Sequence, residues 1–371
     1  MSLRTLSGKH ADPRKGRGAG VNPEGRFEQV DREAFDDGWS SDQNAAASGE
    51  ERALKTVITD ERAKSIISRN DSPDIPFTQS INPYQGCEHG CIYCYARPSH
   101  AYRNLSPGID FETRIFAKTN AAELLRKELS RPGYRCELIA LGANTDPYQP
   151  AEREKRITRG ILEVCAEFSQ PVGIVTKNAL VERDIDILAP MAKKGLAEVF
   201  VSVTTLDHEL ARRMEPRCTA PQRRLQAVRA LAEAGIPAGV MVAPVVPFLN
   251  DHEIEAIVEA AAAHGAQRAA YILMRLPYEV KTLFRDWLER HYPLKAAHVM
   301  SRVQEMRSGR DNDPEFGSRM RGAGEFADLL KQRFKVACKK AGLNQARRGE
   351  GNQRDTTQFR VPGVAKQGSL F

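Results

Sequence analysis

Six short apolar runs alternate with amphipathic helical stretches from about residue 75 onward. This alternation predicts an α/β fold wound as an incomplete, TIM-like (β/α)6 barrel. Two further observations point the same way. Helical stretches close on breakers ahead of the next apolar run, as in Glu233-Ala234-Gly235-Ile236-Pro237, where glycine stops the helix and proline precedes a strand. Polar residues also gather just after the apolar runs, at the C-terminal strand ends where barrels keep their chemistry.

Residues 1–52 read as a disordered basic arm. Arg14-Lys15-Gly16-Arg17-Gly18-Ala19-Gly20 is rich in glycine and arginine, and Ser40-Ser41-Asp42-Gln43-Asn44-Ala45 lacks apolar periodicity. Phe27, Phe35 and Trp39 are expected there only as isolated anchors. The barrel is expected over residues 53–277. Its strands are expected at Thr78–Pro83, Glu137–Gly142, Val172–Thr176, Glu198–Thr204, Ala238–Ala243 and Ala269–Met274, with helices near 120–130, 152–168, 182–194, 220–234 and 250–264. A helical extension follows over 278–345, with helices near 279–291, 295–308 and 323–341 and with Phe284, Trp287, Leu288 and Phe334 packing on the barrel. Residues 346–371 read as a flexible tail.

The chain has 371 residues, 41% hydrophobic and 28% charged, which suits one large domain with extensions. No apolar run approaches the ~18–20 residues that span a bilayer, so no membrane is expected. The first residues lack the apolar core of an export signal, and a cytoplasmic location is expected. The net charge of +7 is uneven: residues 1–26 carry six Lys/Arg against two acids, and residues 331–371 carry ten against two. Basic ends on a mildly acidic body fit arms that touch nucleic acid, and fit equally well plain solvated tails.

Gly86-Cys87-Glu88-His89-Gly90-Cys91-Ile92-Tyr93-Cys94-Tyr95 carries the chemistry. Its spacing is Cys-x3-Cys-x2-Cys. A cubane iron–sulfur cluster has four irons, each normally taking one thiolate, so three thiolates leave one iron open to an external ligand. A Cys3His zinc site using His89 or His100 would use the same residue types. A disulfide fits less well, because the seven cysteines are odd in number.

The triplet resembles the cluster loop of the radical S-adenosylmethionine (radical SAM) superfamily. That resemblance implies a [4Fe–4S] cluster on Cys87, Cys91 and Cys94, with SAM on the open iron. It also implies an electron donor of flavodoxin or ferredoxin type and reductive cleavage of SAM to a 5′-deoxyadenosyl radical. The wider run Asn82-Pro83-Tyr84-Gln85-Gly86-Cys87 through Ala96-Arg97 resembles the spore photoproduct lyase-like, or DNA repair photolyase-like, branch. The likeness extends from about residue 54 to 345. It implies a lyase-like enzyme acting on DNA, with Tyr95 lining the path between SAM and substrate.

Tyr93 in the cysteine loop, Thr145, Asp146, Ser202 and Ala243 at strand ends and, by the same resemblance, Lys177 are the candidate SAM residues. Thr145 and Asp146 are expected at the amino group, Lys177 at the carboxylate, Ser202 at ribose or carboxylate, and the apolar Ala243 strand end at adenine. A capping loop is the plainer account of Thr145 and Asp146. That branch carries a thiol after its second strand, whereas Ala143-Asn144-Thr145 has none. Cys218 is the best substitute hydrogen donor, while Cys136, Cys165 and Cys338 read as ordinary residues. Arg319 and Arg321, between glycines, are candidate phosphate or carboxylate ligands. The ending Gln367-Gly368-Ser369-Leu370-Phe371 is similar to peptides that bind the replication sliding clamp. Two alternatives stand beside the DNA enzyme. One is a radical SAM enzyme on RNA, protein or a small metabolite, and the other is a non-catalytic metal-binding adaptor at DNA or the clamp.

Overall fold

A computed structural model describes residues 16–27, 54–345 and 355–363. Its strands are β1 (Val57–Glu61), β2 (Ile67–Arg69), β3 (Gln79–Ile81), β4 (Tyr84–Gln85), β5 (Arg114–Lys118), β6 (Ile139–Leu141), β7 (Val172–Thr176), β8 (Ala197–Ser202), β9 (Ala238–Val245) and β10 (Arg268–Leu273). Six of them, β3 and β6 to β10, pair in parallel and in chain order. The antiparallel β2 extends that sheet beyond β3. These six are the strands expected from sequence. Apolar residues dominate β6, β7 and β9, as in parallel strands covered by helices on the outside and filled by side chains within. Among the described strands the sheet stays open, since β10 and β2 are its edges.

The covering helices follow the same economy. In the helix Ile157–Phe168, Ile157, Ile161, Leu162, Cys165 and Phe168 are buried on one stripe. Asp207 caps the helix His208–Met214 by accepting from the amides of Glu209 (2.7 Å) and Leu210 (3.1 Å). The expected helix over 152–168 is two helices, Glu152–Lys155 and Ile157–Phe168. They are split by Arg156 in the left-handed region at φ 52°.

The extension over 278–345 shares the barrel's packing. Trp287, Phe284 and Leu288 lie in one apolar cluster with Cys91, Ile92 and Tyr93, and the Trp287 indole donates to the Arg213 carbonyl at 3.0 Å. Phe334 packs against Tyr271 on the last strand.

Two stretches depart from the expected disorder. Residues 16–27 dock on the body: Ala19 is buried, and Arg17 donates to the carbonyls of Glu112 (2.8 Å) and Leu54 (2.5 Å). Residues 355–363 also dock. Phe359 lies 5.3 Å from the Tyr134 ring, and the Arg360 amide donates to the Phe168 carbonyl at 3.0 Å. Most of the remaining basic arm, including Phe35 and Trp39, and the peptide Gln367–Phe371 lie outside the described residues. No described helix is long and apolar enough to cross a membrane.

Candidate functional site: a three-cysteine loop at the open strand ends

The cysteine loop leaves β4 and is held on every side. The Cys87 amide donates to the Phe111 carbonyl (2.9 Å), the Ile92 amide to the Met214 carbonyl (3.0 Å), and the Arg217 amide to the His89 carbonyl (3.3 Å). Gln149 grips the loop twice, accepting from the Glu88 amide (3.0 Å) and donating to the Gly86 carbonyl (3.1 Å). All three thiols are free. Cys94 borders the two apolar clusters that contain Cys87 and Cys91.

Beneath the loop lies a charged clamp. Arg97 is fully buried and all five of its N–H groups are placed. They reach the carbonyls of Cys91 (2.9 Å), Pro107 (3.1 Å), Gly108 (2.9 Å) and Gly90 (3.0 Å), and the Glu112 carboxylate at 2.5 Å. Glu112 also accepts the amides of Gly18 (3.0 Å) and Ala19 (2.8 Å). Glycine is required where these segments cross: a Cβ on Gly18 would lie 1.9 Å from the Gly90 oxygen. At Gly90, φ is +67° and a Cβ would lie 2.8 Å from Glu112 Oε2.

His89 is buried, with Nδ1 3.3 Å from Asp146 Oδ2 and Nε2 3.4 Å from Asn178 Nδ2. Burial would lower its pKa, but Asp146 and the Cys87 sulfur raise it well above the ordinary value. His100 turns Nε2 to the Arg114 carbonyl (2.9 Å) and is wedged near Phe111 and Phe116. His89 thus also touches the Cys87 thiol, whereas His100 is committed to a backbone carbonyl, and among the described residues no three Cys, His, Asp or Glu converge on a single-ion position.

The expected SAM residues divide into two groups. Thr145 and Asp146 are both held by hydrogen bonds within the scaffold. Thr145 is buried and its hydroxyl donates to the Tyr84 carbonyl (2.8 Å). Asp146 accepts from Thr176 (2.7 Å), the Lys177 amide (2.7 Å) and the Tyr148 amide (2.8 Å). Burial works against its charge, yet His89 and these donors hold it below the usual carboxylate range.

Lys177 stands differently. Its ammonium lies 5.8 Å from the centre of the Tyr93 ring and makes no hydrogen bond or ion pair among the described residues. Burial lowers its pKa, but Glu215, Cys91 and Cys218 more than offset that. Tyr93 is buried and donates its phenol to Glu215, which also accepts from Thr204 (2.6 Å) and pairs with Arg224. Ser202 ends β8, and Ala243, near the end of β9, accepts from the Thr204 hydroxyl at 3.0 Å. Tyr95 is the outermost member, 48% exposed, with its phenol donating to the Ala143 carbonyl on the loop after β6.

Cys218 comes to 3.6 Å from Cys91, sulfur to sulfur. Burial first, and then Cys91, push its thiol up, whereas the contact with Cys218 pulls Cys91 down. Of the candidate anion ligands, Arg319 is already paired with Asp74 through two bonds (2.6 and 2.5 Å), while Arg321 is exposed. A groove of about 940 Å³ lies on the small sheet formed by β1, β5 and β4, lined in part by Arg114 and Phe116, and contains none of the loop cysteines or expected SAM residues.

Several contributors had no sequence signal. Glu112, His89 as a partner of Asp146, Glu215 and the 17–19 segment all act through pairs far apart in the chain.

Residues 81–261 match the radical SAM superfamily. An uncharacterized protein of Mycobacterium tuberculosis (strain ATCC 25618 / H37Rv) is 39% identical over 234 residues, 62% of this chain and 68% of its own length. An uncharacterized protein of Methanocaldococcus jannaschii is 26% identical over 242 residues, 64% of this chain and 85% of its own. Spore photoproduct lyase complexed with dinucleoside spore photoproduct has the same fold, with a TM-score of 0.55, 16% identity, and coverage of 77% of this chain and 80% of that one. A mutant of that lyase with bound AdoMet and dinucleoside spore photoproduct superposes with a TM-score of 0.54 at 16% identity, over 78% of this chain and 80% of that one. With its three-cysteine loop set at the open ends of a sequentially wound parallel sheet, the chain belongs to the radical SAM superfamily of enzymes.

Proposed function

We propose that Cys87, Cys91 and Cys94 hold a [4Fe–4S] cluster, that SAM binds beside it at the open strand ends, and that the substrate is DNA. When bound, the cluster supplies the electron that cleaves SAM to methionine and a 5′-deoxyadenosyl radical. The donor set fits this group: three free thiols share one rigid loop, and His100 is turned to the Arg114 carbonyl. The observation that carries the reading is the Lys177 ammonium, unpaired among the described residues and set beside Tyr93 and Cys91. A point charge of that kind suits a carboxylate, as SAM presents.

The chain's own residues do the positioning. Tyr93 is locked by Glu215 and offers Lys177 its ring, while Ser202 and Ala243 border the same strand ends. Tyr95 stands outermost, where a substrate would meet the site. The Arg97–Glu112 clamp fixes the loop so that its sulfurs keep their places. DNA is supported by the fold shared with a lyase complexed with dinucleoside spore photoproduct. An external flavodoxin- or ferredoxin-type donor is part of the proposal.

Anaerobic reconstitution tests it. Reduced protein with SAM should release 5′-deoxyadenosine, and added DNA should raise the yield. No 5′-deoxyadenosine from protein carrying its full iron would overturn the enzyme reading. A yield indifferent to DNA would overturn the substrate.

A further inference from the structure

Around the strand ends, arginines and exposed rings alternate in a pattern that SAM binding does not use. Arg275 lies two residues past β10. Its Nε is buried without a hydrogen-bond partner, its Nη1 reaches only the Met320 sulfur at 3.4 Å, and it has no ion pair among the described residues. Its guanidinium is 5.9 Å from the centre of the Tyr95 ring, the residue after the last cluster cysteine. Nearby, Arg319 lies 4.6 Å from the Phe316 ring. Three residues beyond Arg275, Tyr278 carries Arg26 over its ring at 3.8 Å, and Arg26 also sits 5.7 Å from the Tyr102 ring.

These rings face water. Tyr278 is 64% exposed, Tyr102 72% and Phe316 56%. Tyr278 is also held in the left-handed region at φ 50°, an outlier for a bulky side chain. Its ring fills no core that would compensate. Backbone strain that presents a ring to solvent is the kind found at ligand sites.

We propose that this rim binds a single nucleic-acid strand, with bases stacked on Tyr278, Phe316 and Tyr95 and a phosphate held by Arg275. Every base has a flat face that an aromatic ring can stack on, so such a rim accepts unpaired bases without reading them. A guanidinium with an idle buried N–H is a ready phosphate donor, and arginine between rings adds cation–π attraction. An acidic peptide would need the charge but not the planar rings. The inference rests on the DNA reading and narrows it to an unpaired strand.

Fluorescence anisotropy of the full chain with its reconstituted cluster, using labelled oligo-dT, tests the rim. Arg275→Gln should weaken binding about tenfold or more, as for a lost charged hydrogen bond. Tyr278→Asn, which tolerates the left-handed backbone, and Phe316→Ala should each weaken it about fivefold or more. Both sites are exposed, so these two variants report even if Arg275→Gln folds poorly. Arg126→Gln, on an outer helix, removes the same charge and should change affinity less than about twofold, since one distant charge adds little. Tighter binding of duplex than of strand, equal competition by polyglutamate, or rim variants no weaker than Arg126→Gln would each overturn the rim. If the wild-type chain binds no oligonucleotide, the DNA substrate falls as well. If it binds while the rim variants stay unchanged, only the rim falls.

Discussion

Arg97 and Arg275 flank the same cysteine loop, and their surroundings are opposite. Arg97 has no exposed surface and places every N–H on an acceptor, one of them the Glu112 carboxylate. Arg275 is half-buried, reaches one sulfur, and leaves Nε without a partner. Burial and the neighbouring Arg319 lower its pKa, so the fold gains little from its charge. A cation that completes a buried network is part of the scaffold. One held near a site without a counter-ion is kept for something that arrives later.

A similar contrast between two sulfurs gives the largest expected effect. Cys91 and Cys218 are 3.6 Å apart, yet only Cys91 belongs to the loop triplet. Cys91→Ala should lose the brown chromophore and nearly all bound iron after reconstitution, because a cluster needs each of its three thiolates. Cys218→Ser should keep both. Iron analysis and visible absorption decide it, and equal iron loss in the two variants would break the contrast.

Stability comes next. Arg97→Met leaves the Glu112 carboxylate buried without its cation, which should cost about 3–5 kcal/mol in urea unfolding. Arg275→Met removes a cation with no ion pair among the described residues and should stay within about 0.5 kcal/mol of wild type, or gain slightly. Comparable losses in the two variants would mean that Arg275 is structural after all.

The sequence revealed more of this architecture where its signals are local. Val172–Thr176 appears with its expected bounds because it is a short, mostly apolar run with one face fully buried. The cysteine spacing was likewise readable within ten residues. What could not be read depends on distant pairs. Thr145 and Asp146 were legible as a polar strand end, but their bonds to Tyr84 and His89, about sixty residues away in the chain, were not. Residues 17–19 looked disordered because their order comes from backbone bonds to Glu112, which require glycine and leave no periodicity. The small sheet was missed because β4 has two residues and β1 is largely polar and exposed.

The smallest effect concerns pH and belongs to the clamped flank. His100 is buried against Phe111, and burial brings its pKa down to about 4 despite the Arg114 carbonyl and Asp110, with Arg103 and Arg97 adding to the fall. Below its ordinary value near 6.5 the unfolded chain takes up this proton while the folded protein resists it. Its contribution is therefore complete above about pH 6.5 and is lost as pH falls toward 4. His100→Phe cannot take up the proton in either state, so its stability should fall less steeply across that window than wild type. Urea unfolding at stepped pH measures the slope. An unchanged slope would show that this histidine is already charged in the folded protein. The clamped flank would then contain a buried cation beside Arg97, and the distinction from the Arg275 side would weaken accordingly.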